Sequence, residues 1–339
     1  MSNLLQKRKL YLFVMFVVFT LFMFTKFIFG ELTPDEVFYS TDFVINTDNI
    51  DPAYIVINFI FKFLFRVNKY VLPLLNISLV LYVFNKLYKN EVTINRSISK
   101  IVVLLLFLPS VIYFASSYLR DIYVFVLGFL LIYNSSVFRK KKYVLIVLLL
   151  VGFLRWEASV ILILSYLIDR LLTYKGKPII MVNFFTIPLI ILVTWLILYW
   201  LFDIQSIWRF CENFINFYEK KNSNYGIFQV PITKTNIISY SVINWVAYYM
   251  PFLFKELKSL FDYFIVIDSI IVGILFIRMF LFFDTKSFKK SKIYRVSFYV
   301  FVMTFFLALP ESVPETMYRH RMAYLPFLIY LNFPYKHDN

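Results

Sequence analysis

Apolar runs near membrane-crossing length recur along this chain, with short charged loops between them, and that alternation limits the possible folds before any motif is considered. The first run, 10–29, follows Lys7-Arg8-Lys9 and has no small-residue cleavage site behind it. It reads as an uncleaved span whose start lies in the cytoplasm. Roughly 20 apolar residues cross a bilayer core, and the chain offers about ten such spans. Composition agrees: 61% of the 339 residues are hydrophobic and 16% are charged, against about a quarter charged in an ordinary soluble domain. The expected fold is an all-α polytopic integral membrane protein of about ten transmembrane helices. It would be a single membrane domain over residues 1–339 in the cell (plasma) membrane, with both termini cytoplasmic and interfacial helices in its outer loops.

The loops set the sidedness. An acidic stretch, 30–51, carries Glu31, Asp35, Glu36, Asp42, Asp48 and Asp51 with no Lys or Arg. It is followed by an amphipathic segment, 53–65, that suits a helix lying on the outer interface, so 30–69 forms one outer loop. Spans are expected at 70–88, 101–117, 122–138, 143–154, 158–172, 178–202, 260–283, 296–309 and 322–333. The large outer segment 203–258 would hold an interfacial or re-entrant helix at 237–254, and 310–321 would be an outer Arg-rich loop. Of the 35 Lys and Arg, 20 fall in the inner loops against four of the 20 acids. The outer loops hold 13 against 14, and Lys26 and Arg278 balance Asp262 and Asp268 within spans. Nearly all of the net +15 therefore lies on one side, as the positive-inside rule requires.

That distribution points to a lipid surface rather than nucleic acid as the partner. Six glycines with neither GxGxxG nor a Walker loop speak against a nucleotide domain, and the lone Cys211 excludes an internal disulfide or cysteine metal cluster.

Charges at span ends are costly near hydrocarbon, so they tend to pair or to work. Four outer sets come from separate parts of the chain: Asp35 with Glu36, Arg120 with Asp121, Arg155 with Glu157, and Arg319-His320-Arg321. A loop carboxylate serves as a general base towards a hydroxyl. Arginines hold phosphate in bidentate fashion and stabilise a departing phosphate charge. Base plus phosphate clamp beside lipid suits glycosyl transfer from a polyprenyl-phosphate-linked sugar donor to a glycan acceptor.

Thr33-Pro34-Asp35-Glu36 after a first span, then an amphipathic helix, resembles the GT-C membrane glycosyltransferases. The resemblance implies that Asp35, with Glu36 as its rival, is the catalytic base. Arg319-His320-Arg321 followed by a span containing Pro326 resembles the end of such enzymes' membrane domain. The hairpins PSVIYFASSYLRD and FLRWEASVILIL are similar to those of bacterial oligosaccharide-repeat (O-antigen-like) polymerases. That implies that the outer arginines hold lipid diphosphate, within a substrate- and phosphate-binding set of Arg120, Asp121, Arg155, Glu157, Arg319, His320 and Arg321. The choice between monomer transferase and polymerase stays open, and the chain contains no D-x-D pair.

Plainer readings stand beside these. Asp35 and Glu36 also suit the start of a helix after Pro34, Arg120–Asp121 suits a structural pair, and Arg319 and Arg321 suit interfacial anchors. Asp268 is either a buried polar link or a substrate contact. No cofactor is expected. A divalent metal on Asp35 and Glu36 is the less favoured alternative, because further oxygen ligands cannot be placed. The competing function classes are a transporter or flippase of lipid-linked oligosaccharide and a membrane scaffold without an active site.

Overall fold

The computed structural model describes residues 2–28, 30, 40, 52–91, 108–133, 141–174, 177–178, 237–250, 260–308 and 314–333. Asp35, Glu36 and nearly all of the acidic loop lie outside the described residues, as do the expected span 178–202 and the polar stretch 203–236. Helix dominates. The only extended pairing among the described residues is a two-residue antiparallel ladder, β1 (Thr173–Tyr174) with β2 (Lys177–Pro178). The chain forms two compact units, Met1–Trp156 and Glu157–Asn339.

The first unit holds α1 (Ser2–Ile28), α2 (Pro52–Val67), α3 (Val71–Glu91), α4 (Pro109–Ala115), α5 (Asp121–Tyr133) and α6 (Lys141–Leu154). In α1 the buried residues Met15, Phe19, Met23 and Phe27 recur every fourth position, which is one helix face. The opposite face exposes Phe13, Phe16, Leu21 and Phe24. A helix that is apolar all round, with half of it uncovered, is the signature of a lipid neighbour. Left in water, each such side chain would forfeit about 1.5–3 kcal/mol.

Between α2 and α3 the chain turns through 111°. Asn68 makes the corner: its Oδ1 accepts the Tyr70 N–H at 2.8 Å, and its carbonyl accepts the Val71 N–H at 3.1 Å. These bonds compete with continued helix and end α2 there.

The second unit begins along α7 (Trp156–Leu171) and continues with α8 (Ile237–Tyr249), α9 (Leu260–Leu281), α10 (Thr285–Lys290) and α11 (Lys292–Ala308). It closes with α12 (Pro314–His320), a 3₁₀ turn (Arg321–Ala323) and α13 (Leu325–Asn332). On α9 the buried set is Ile265, Asp268, Ser269, Val272, Phe276 and Met279, while Ile267, Ile270, Ile274 and Ile277 are exposed. Asp268 and Ser269 thus point into the unit while these four isoleucines point out. Gly273 lets α8's end come close, since a Cβ there would meet Met250 Sδ at 2.6 Å.

Among the described residues two helices are long and apolar enough to cross a membrane, over Lys9–Ile28 and Tyr263–Leu281, and the bent pair Val56–Val67 with Val71–Asn85 makes a third if counted as one span. The helix within 203–258, expected as interfacial or re-entrant, is α8. α8 packs against α9, α11 and α12, and Trp245, Tyr248 and Tyr249 are buried. Trp245 is enclosed by Phe276, Phe280, Phe301 and Phe305, and its indole N–H donates to Thr304 Oγ1 at 3.0 Å. An indole satisfied in this way packs inside rather than at a headgroup boundary.

Candidate functional site

In the first unit the hairpin tip SSYLRD (116–121) turns out to be a structural knot. Ser116 Oγ donates to the Phe19 carbonyl of α1 at 3.3 Å. Ser117 Oγ accepts from the buried Lys26 Nζ at 2.6 Å and donates to the Tyr113 carbonyl at 2.6 Å. The Ser117 carbonyl accepts from Asn76 of α3 at 2.9 Å, and the Tyr118 hydroxyl donates to the Asn68 carbonyl at 3.1 Å. Asp121, in the first turn of α5, is 3% exposed and pairs with Arg155, which is 8% exposed. Arg155 Nε and Nη2 approach the same Oδ1 at 2.9 and 2.5 Å. Two tips read from the sequence as separate are therefore held together, with Arg120 half-buried in the turn beside them. Glu157 is half-buried in the first turn of α7 and falls in the second unit.

In that unit Arg319 and His320 form the last turn of α12 and are half-buried. Cations there match the negative end of the helix dipole. Arg321 differs from both. It is 1% exposed, its Nη2 is bonded to the fully buried carboxylate of Asp268, and its Nη1 donates to the Tyr249 carbonyl at 2.6 Å. Its guanidinium lies 4.9 Å from the Tyr318 ring centroid, and its Nε has no hydrogen-bond partner among the described residues. Of the two readings open for Asp268, this geometry supplies the buried polar link.

A third pair, Asp169 with Arg295, was not anticipated. The sequence gives the inner loops as solvated and basic, yet Arg295 Nε meets Asp169 Oδ1 at 2.6 Å and both residues are buried. Arg295 Nη1 also donates to the Phe288 and Lys289 carbonyls at 3.3 and 3.4 Å, closing the end of α10 onto α11. The available signal was Asp169 itself, one of the few acids in the inner segments.

Asp284 shapes the neighbouring turn by capping α10. Its carboxylate accepts the Lys286 and Ser287 N–H groups at 3.0 and 3.1 Å and the Ser287 hydroxyl at 2.6 Å. Partial desolvation pushes its pKa up. The Ser287 and Lys286 hydrogen bonds and the Lys286 charge outweigh that, leaving it below the ordinary carboxylate value.

Among the described residues no group of three or more His, Cys, Asp or Glu side chains could hold a metal ion. Compared with protein-family models, curated proteins and solved structures, the chain matches none.

Proposed function

We propose that this chain is a multi-pass plasma-membrane protein of about ten spans that transfers glycosyl groups from a polyprenyl-phosphate-linked donor on the extracytoplasmic side, as a transferase or polymerase of cell-surface glycan. The observation that carries this reading is the sidedness of its charge. The basic excess lies in the inner loops, and the outer segments mix acids with arginines. Asp35 acts as the base, with Glu36 beside it. Arg155 and Arg321 are each neutralised by a buried aspartate, so little charge is left for a phosphate. We therefore give Arg155 and Arg321 the task of holding the surrounding turns.

An Asp35→Asn variant inserts at the wild-type level and loses glycan extension by about 10²–10⁴-fold, the usual contribution of a general base. The assay is sugar incorporation from a polyprenyl-phosphate donor in membrane vesicles; undiminished product removes Asp35 from the mechanism.

A second reading, a flippase of lipid-linked oligosaccharide, draws on two observations. Asp268 is buried within a span-length helix, and the α2–α3 corner breaks a possible span by 111°. Vesicle translocation that survives neutralisation of Asp35 and Glu36, with no sugar transfer by the wild type, would favour it.

A further inference from the structure

The first unit contains an apolar pocket of about 340 Å³ walled by α2, α3, α5 and α6. Its floor includes Ile57, Phe61 and Val126, all buried, with Tyr123 half-buried at one side. Leu150 and Phe153 form its rim; they are 47% and 45% exposed. These two residues belong to a stripe on α6, Leu145, Ile146, Leu149, Leu150 and Phe153, that is apolar and uncovered. The other outer wall, α2, likewise exposes Val56, Phe59, Ile60 and Phe63. The pocket therefore opens on a surface made for hydrocarbon, and its size is within the range of ligand sites. Water would find almost no polar partner inside it.

Phe61 connects this pocket to a cationic corner. Its ring meets Tyr118 edge-on at 6.2 Å, and the Tyr118 hydroxyl bonds the carbonyl of Asn68, which sits between Arg66 and Lys69. Arg66 is exposed, Lys69 is half-buried, and Lys62, the residue after Phe61, is buried. Arg66 follows Phe61 by five positions of helix, a rise of about 7.5 Å. The same five positions turn about 140° around α2, so the link between pocket and cations runs through Tyr118 and the Asn68 corner, with room for a hydrocarbon chain in the pocket and a phosphate at that corner.

We propose that the pocket and the Arg66–Lys69 corner form a binding site for an anionic phospholipid, one acyl chain lying between α5 and α6 and the phosphate against the two cations. The site is independent of the glycosyl-transfer reading and uses none of the residues assigned to it.

The full-length protein is placed in nanodiscs of phosphatidylcholine doped with phosphatidylglycerol that carries a diazirine on one acyl chain. Irradiation and peptide mapping then read where the chain lies. Labelling concentrates in 121–133 and 142–154, well above that of the exposed face of α9. Each of Arg66→Gln and Lys69→Gln lowers it by about fivefold, the factor expected for one cation near an anionic surface. Leu150→Trp, at the exposed rim where folding tolerates bulk, blocks it; Leu149→Trp, exposed on the same helix but outside the pocket, leaves it unchanged. Equal labelling by diazirine phosphatidylcholine overturns the anionic preference, and insensitivity to Leu150→Trp overturns the pocket. Displacement of the phosphatidylglycerol by an equimolar polyprenyl phosphate overturns the phospholipid as occupant.

Discussion

At the centre of the first unit, serine hydroxyls and backbone carbonyls of one hairpin tip tie three helices together, and the Asp121–Arg155 ion pair lies beside them with its arginine side chain 9% exposed. At the centre of the second, a fully buried arginine and aspartate join α9 to the turn after α12, beside packed aromatic rings that include Trp245, Tyr249, Phe276 and Phe301. The first scheme spreads its polar bonds over one lysine and several neutral groups, and leaves space for a pocket. The second sets a charged pair at its centre and fills the space around it with rings. A buried pair is costly to form and costlier to halve, so the two units should respond differently to losing an arginine.

The largest effect is expected at Arg321. Arg321→Ala takes from the fully buried Asp268 carboxylate its arginine partner, which costs about 3–5 kcal/mol and lowers the melting temperature in detergent sharply. The double variant Asp268→Leu/Arg321→Met recovers most of the loss; failure to recover would mean that the pair has a role beyond neutralising itself. Arg155→Ala costs less, about 1–3 kcal/mol, because Arg155 is itself 8% exposed and its loss opens a way for water to reach Asp121. Equal losses at the two arginines would erase the contrast between the units. Gly273 probes the tight packing of the second unit by bulk instead of charge. Gly273→Leu is expected to cost about 1–3 kcal/mol through overpacking, and Met250→Ala in the same chain relieves it. The smallest effect is at the surface: Asp284→Ala removes a helix cap worth about 1 kcal/mol. Because its folded-state pKa is depressed, Asp284 contributes fully above the ordinary carboxylate value and loses that contribution as pH falls through its folded value. The melting difference between wild type and variant should therefore close under acid.

Much of the helical layout could be read from the sequence because it is a local property. The run at 10–29 lies almost wholly within α1, and 143–154 lies within α6, which ends directly before the buried Arg155. Asn68 and Asp284 announce their turn and cap by residue type. The partners of the charged groups were not legible. Asp121 and Arg155 are 34 positions apart, and Asp268 and Arg321 are 53 apart, so neither periodicity nor spacing links them. The sequence could say that a charge inside an apolar run needs a counter-ion, but several arginines were equally eligible for Asp268. α8 reads as interfacial or re-entrant from the sequence because a full span there would put the later basic run, Lys286 to Lys292, outside; its aromatics suit a membrane boundary as well as they suit a core.

The corner at Asn68 has a mechanical consequence. With α3 upright in a bilayer, a 111° bend lays α2 close to the membrane plane. An upright helix such as α1 responds to changes in bilayer thickness by tilting. A recumbent helix instead occupies area within one leaflet and responds to how tightly the lipids there are compressed. Lateral tension, more than thickness, would then set how deeply Val56, Phe59 and Phe63 sink, so α2 would act as this unit's gauge of crowding in its own leaflet.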